Sequence, residues 1–430
     1  MNLQTIVNSL VSDTVHASLP HFWPELVLCG TIVVLLFTRL FPGLNRIPPF
    51  VLALVGALVA LWASIPRDGL AQWNAIERQE LFTGMLVYDG VTAYVRMFLM
   101  AFAVLFVVLA RLTGLADRKD GQDFYCLAFG SIIGMCLMAS ANHLLMLFMG
   151  VEMASVPSYV LAGAVKGRRR SSEAALKYAI YGAGTAGVML YGTSLLAGIL
   201  GSAHLPTMAQ QLAEFDIAGK LASDEYMQVL VLALGGLMLG VGLAFKLSAV
   251  PFHFWCPDVF EGASAEVDGF LSVASKAAAL ALLVRVGMGF GHVPGETPES
   301  LASANRPATT VQLTATAVES KPQFLLAAEE TAGDSAAGET AAGPTAADAG
   351  PLSPVRNFFV ILVGVISVVT CTFGNLAAYG QKNIKRMLAY STIAHAGYMM
   401  MAAAAAVALV GRDQSAAGTA VASLLLYAAF

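Results

Sequence analysis

The chain alternates long apolar blocks with short polar or Gly/Pro-rich breaks. Most blocks hold 18 or more mainly apolar residues, the length a helix needs to cross about 30 Å of hydrocarbon. The pattern predicts spans near 22–40, 47–65, 90–112, 123–141, 143–165, 173–200, 226–249, 266–290, 355–378 and 384–410. An eleventh begins near Ala416, and the chain ends inside it at Phe430. Its remaining residues make only about 22 Å of helix at 1.5 Å per residue, so the chain reads as truncated within a span. The blocks do not alternate in the ~10-residue manner of a membrane barrel. The fold class expected is all-α, a polytopic transmembrane bundle of 10–11 helices.

Composition strengthens this reading. The 430 residues are 57% hydrophobic and 12% charged, with a mean hydropathy of +0.70. A soluble domain carries about 25% charged residues, so a soluble enzyme, a disordered chain and a disulfide scaffold are excluded. Of the five cysteines, four (Cys29, Cys126, Cys136 and Cys371) lie inside apolar blocks; Cys256 falls just after one, and no pair has metal-ligand spacing. They read as small buried residues. Polar residues from Asn2 to His21 precede the first block without a basic start, so no cleaved signal is expected.

Basic residues set the expected orientation. One set of span ends carries twelve, including Lys166, Arg168, Arg169 and Arg170, Lys382, Lys385 and Arg386; the other carries seven over longer loops. This places the Arg-rich loop in the cytoplasm and the N-terminus outside. The stretch from about His292 to Pro354 has no sustained period and is rich in Ala, Thr, Gly, Glu and Pro. It reads as a low-complexity, disordered loop on the outer side.

Ionisable residues within spans are costly and mark ion paths. Glu152 lies near the middle of the fifth span and Lys276 near the middle of the eighth. Lys246 lies near the end of the seventh, and Lys177 about one turn into the sixth, where snorkelling to an interface is an equal alternative. His253 and His395 accompany them. In GLAFKLSAVPFHFW, Pro251 breaks the seventh span five residues after Lys246. Irregular backbone at this depth survives where protein or water covers it, and such breaks form ion sites in transporters. A Glu–Lys pair of variable separation can gate a proton, because a nearby carboxylate favours the charged ammonium and burial opposes it. The run GAGTAG from Gly182 reads as a small-residue stretch for close helix packing.

At these residues the chain resembles a known family. VEMASVPSYVLAG from Val151, SSEAALKYAIYGA from Ser171, GLAFKLSAVPFHFWCPDVFEGA from Gly242, FLSVASKAAALALLVRV from Phe270 and KNIKRMLAYSTIAHAGYMMM from Lys382 carry the resemblance. Together they look like subunit N of the proton-pumping NADH–quinone oxidoreductase, respiratory complex I. The wider family includes its sister subunits L and M and the multi-subunit sodium/proton antiporters. The resemblance covers most of residues 22–290 and 355–430.

The resemblance implies fourteen helices with two inverted five-helix repeats, each holding a broken helix. It divides the chain into helices 1–3 (1–122), a first repeat of helices 4–8 (123–290), an extracytoplasmic insertion (291–354) and an incomplete second repeat of helices 9–11 (355–430). Glu152 matches the family's fifth-helix carboxylate, expected to pair with Lys246 on the broken seventh helix. Lys276 matches the central Lys of the eighth helix and Lys177 a sixth-helix Lys. His395 falls in a tenth-helix SxxxHxGY pattern. The resemblance also implies that the chain holds no cofactor, with NADH, FMN, iron–sulfur clusters and quinone handled by partner subunits. The expected partners are L/M-type and small membrane subunits and the lipid bilayer, not nucleic acid, in a bacterial inner membrane.

Three departures stand out. The chain ends before the family's second broken helix. The 292–354 insertion exceeds the usual connection and is expected to be dispensable for pumping. After EGA, where the family reads a Pro-Thr-Pro-Val-like sequence, this chain has Ser264-Ala265-Glu266-Val267-Asp268. The two acids suit a helix N-terminus and add negative charge near the expected proton intake. Two rival functions remain open at this point: a stand-alone cation/proton antiporter, and a scaffold with a degenerate proton path. Finally, the segment 291–355 holds eight acids and two bases, so the net charge of −4 belongs to this segment and the rest of the chain is +2.

Overall fold

The computed structural model describes residues 3–40, 48–66, 76–115, 121–291, 351–410 and 414–429. Residues 292–350, which make up nearly all of the expected insertion, lie outside them. Nine of the described helices are long and apolar enough to cross a membrane. The chain is a multi-pass helical membrane protein.

The polar start of the chain forms a short helix, α1 (Leu3–Ser12), followed by irregular helical turns to His21. Two helices follow, α2 (Trp23–Leu40) and α3 (Pro49–Ser64), the latter opened by a proline whose fixed φ suits the first turn. A small hairpin, β1 (Gln79–Leu81) with β2 (Leu86–Tyr88), precedes α4 (Gly90–Leu112). Asp89 caps α4 by accepting the Thr92 N–H at 2.9 Å. Next come α5 (Gly121–Ser140), α6 (Leu144–Ala162) and α7 (Arg169–Leu200). Two short helices, α8 (Leu205–Ala213) and α9 (Ile217–Leu221), lead to α10 (Tyr226–Leu247).

The seventh span then breaks as the sequence predicts. Leu247 ends α10, Ser248 adopts a left-handed conformation with φ 59°, and helix resumes as α11 (Trp255–Gly262). The eighth span departs from its expected continuity. It comprises α12 (Ala265–Ser272) and α13 (Ala274–Gly291), interrupted at Val273, one turn before Lys276. No Pro stands there to announce the interruption. The chain continues with α14 (Ser353–Tyr379), α15 (Ile384–Leu409) and α16 (Gln414–Ala429). Asn383 caps α15 by accepting the Lys385 N–H at 3.0 Å.

Burial sorts the helices into inner and outer. The span Ala265–Gly291 is the most enclosed, followed by α5. Outer helices such as α14 expose Ile361, Val365 and Val368, a surface suited to lipid tails. Helices approach closely where glycines face them. A Cβ on Gly150 of α6 would stand 2.9 Å from the Met138 nitrogen of α5, and one on Gly374 of α14 would stand 2.7 Å from the Ala394 nitrogen of α15. In the GAGTAG run only Gly182 has this role, under the Tyr159 ring; Gly184 and Gly187 face open space.

The two ends of the bundle differ. At one end Arg170, Lys177, Arg386, Glu173, Asp258 and Glu261 form a chain of ion pairs joining α7, α11 and α15. At the other, Asn142 ties together the hairpin and the α7–α8 connection, bonding Arg78, Glu80, the Gly84 carbonyl and His204.

Candidate functional site

The break after α10 frees backbone groups that a continuous helix would pair, and side chains take some of them up. The Trp255 indole N–H donates to the Phe245 carbonyl at 3.1 Å, and the Thr370 hydroxyl of α14 accepts the Val250 N–H at 3.0 Å. Trp255 stacks flat on Tyr178 of α7, with ring centroids 4.3 Å apart. The irregular segment is therefore held from three sides within the protein.

Lys246 closes α10 just before this break and is 3% exposed. Its ammonium donates to Ser155 Oγ of α6 at 3.0 Å. Ser155 in turn donates to the Val151 carbonyl at 2.5 Å. Glu152, half-buried on the same helix, lies within electrostatic reach of Lys246 but closes no ion pair with it among the described residues. Ser155 holds the place in which the family resemblance puts the carboxylate. Nothing in its residue type announces this; its position three residues after Glu152 in an apolar block is the only signal.

Lys276 sits in the first turn of α13, 2% exposed, and its ammonium has no hydrogen-bond partner among the described residues. Cys256 of α11 lies within electrostatic reach of it. Cys256 Sγ meets the Thr392 hydroxyl of α15 at 3.9 Å. A buried ammonium without a partner is expensive, and a helix interruption lies one turn before it.

The other candidate residues are placed differently. His253 lies in the break, half-buried, with its ring 4.5 Å from that of Phe373 on α14. Lys177 is bound to Glu173 at 2.9 Å and Asp258 at 2.8 Å, at the Arg-rich end and partly exposed. It is thus part of the end network and not beside Glu152. His395 is exposed on α15, where its ring nitrogen meets the Tyr427 hydroxyl of α16 at 2.7 Å. Glu152, Lys246 and Lys276, with Ser155, Cys256, His253 and Thr370, are among the polar groups near the breaks.

Residues 141–297 and 345–430 match the family described as NADH:quinone oxidoreductase/Mrp antiporter, TM. The chain belongs to that antiporter-like family. The match spans both helix interruptions and every candidate residue named above. Among curated relatives, NADH-quinone oxidoreductase subunit N of Anaeromyxobacter sp. (strain Fw109-5) is 35% identical over 91% of this chain and 65% of its own length. The subunit N of Chlorobium chlorochromatii is 32% identical over 92% of this chain and 64% of its own. The chain therefore spans just under two thirds of the length of these antiporter-like relatives. Among solved structures, a chain of respiratory complex I from Thermus thermophilus with bound aureothin is 27% identical, with a TM-score of 0.58 over 94% of this chain and 68% of that one. The fold is that of the complex I antiporter-like membrane subunits.

Proposed function

We propose that the chain is a proton-translocating membrane subunit of a complex I–type NADH–quinone oxidoreductase. Redox chemistry belongs to partner subunits, and this chain moves protons through Glu152, Lys246 and Lys276. The observation that carries the reading is Lys276, a buried ammonium with no hydrogen-bond partner among the described residues, one turn after a helix interruption. An ionisable group enclosed within a span in this way marks an ion path.

In this reading protons come from the Arg-rich side, taken as cytoplasmic, and reach the break near Lys246 and Pro251. They are held on Lys276 and move along the bundle axis toward the second repeat. Glu152 sets the affinity of Lys246 by its distance. With Ser155 as the partner of Lys246, the described state has the carboxylate disengaged, and a closer approach of Glu152 would load the ammonium. His253 lies at the break and is placed as a shuttle; Lys177 and His395 hold positions at the Arg-rich end and on α15.

The test is proton uptake by vesicles carrying the assembled complex during NADH oxidation. Replacing Glu152 by Gln is expected to cut pumping at least tenfold while leaving the complex assembled. Pumping at the normal rate would contradict the reading. Sodium-22 uptake by vesicles holding this chain alone would favour the antiporter instead.

A further inference from the structure

The Arg-rich end holds two carboxylates that the relay does not use. Glu266 and Asp268 lie in the first turn of α12, 7% and 9% exposed. Acids at a helix N-terminus ordinarily sit in water, where the helix dipole favours them; these are enclosed. Asp268 Oδ2 pairs with Lys385 of α15 at 3.0 Å, and the same ammonium donates to the Ala263 carbonyl at 2.6 Å. Asp268 Oδ1 and Glu266 Oε2 have no hydrogen-bond partner among the described residues. The Thr113 hydroxyl, just after α4, stands beside Glu266, and Lys385 acts on both acids. Two carboxylates thus face one ammonium among the described residues, and one added proton makes the set neutral.

The position of the pair gives this proton somewhere to go. Asp268 and Lys276 are eight residues apart on the same span, about 12 Å along the axis at 1.5 Å per residue. Cys256 of α11 lies within electrostatic reach of both the Asp268 carboxylate and the Lys276 ammonium. The Thr392 hydroxyl adjoins Cys256. Buried polar atoms lacking a protein partner are served by water or by protonation, and such atoms stand both at the head of α12, on Ser264, Glu266 and Asp268, and at Lys276.

We propose that Asp268, together with Glu266, is a proton-accepting station that takes protons at the Arg-rich end and delivers them to Lys276. This rests on the proton-relay reading above. The transfer moves one proton from a carboxylic acid to a neutral amine and leaves a carboxylate and an ammonium, so charge and atoms balance.

Two measurements on the assembled complex test it. Dicyclohexylcarbodiimide forms stable adducts with protonated, enclosed carboxyl groups. Mass spectrometry of the treated wild-type complex at neutral pH is expected to find an adduct on Asp268 or Glu266. A merely structural ion pair with Lys385 would keep the carboxylates ionised, and absence of an adduct overturns the proposal. In vesicles, Glu266→Gln combined with Asp268→Asn is expected to lower pumping at least threefold, and Asp268→Glu to keep it. A double variant that pumps normally while Lys276→Ala does not pump overturns the station and leaves the relay standing. Normal pumping by both overturns the relay as well.

Discussion

Arg285 of α13 grips Asp89, the cap of α4, with both arms of its guanidinium, at 2.5 and 2.9 Å. The same side chain donates to the Thr92 hydroxyl at 2.7 Å and to the Ala139 carbonyl of α5 at 3.0 Å. One residue thereby fixes the far end of the Lys276 helix to α4 and α5. Burial pushes the Asp89 carboxyl up, but the Arg285 charge and the bonds from Arg285 and Thr92 outweigh it and hold it at about 2, below its usual 3.8.

The sign of the pH effect follows. The folded protein favours ionised Asp89 more than the unfolded chain does, so this stabilisation is complete above about pH 4. It falls away between about pH 4 and pH 2, and amounts to about 2 kcal/mol. Asp89→Asn is therefore expected to melt several degrees below wild type at pH 6 in detergent, with the gap narrowing as pH falls toward 3. A constant gap would show that the carboxylate charge contributes nothing.

A second enclosed pair joins α2 to α4. Glu25 and Arg96 meet at 2.6 Å with both side chains almost fully buried, and Arg96 also donates to the His21 carbonyl at 2.7 Å. Removing one partner leaves a buried charge, a loss of about 3–5 kcal/mol, whereas replacing both by apolar groups is often neutral. Arg96→Met is expected to reduce folded yield and melting temperature sharply. Glu25→Leu with Arg96→Met is expected to recover most of both, measured by thermal unfolding of the three variants beside wild type.

Packing at the glycine contacts gives a paired test. Gly134 of α5 faces the α6 backbone, and a Cβ there would stand 2.6 Å from the Met153 carbonyl carbon. Overpacking of this kind costs about 1–3 kcal/mol. Gly134→Ala is expected to lower the melting temperature, and Gly184→Ala, which meets nothing within 4 Å, to leave it unchanged or raise it slightly. Equal effects would contradict the helix approach described.

Much of this architecture is legible in the sequence because lipid allows few alternatives. The block read as 90–112 is helix over Gly90–Leu112, and the block read as 226–249 ends at Leu247, before the proline that the sequence marks as a break. What escapes is what depends on distant partners. Arg285, Arg96 and Glu25 lie within spans as plainly as Lys276 does. Their counter-charges are far along the chain, as with Asp89 for Arg285, and only the packed bundle brings them together. The interruption at Val273 leaves no mark, since a β-branched residue is ordinary in an apolar helix. Ser155 is hidden for a similar reason: a serine in a membrane helix usually bonds its own backbone, and here it also accepts from Lys246. Lys177 shows the opposite case, a lysine in a span whose length lets it reach the acids at the helix end.

The decisive residue is Lys276. Vesicles carrying the assembled complex with Lys276→Ala, given NADH and quinone, should acidify at less than a tenth of the wild-type rate although the complex forms in normal amount. Wild-type acidification by that variant would contradict a relay through Lys276.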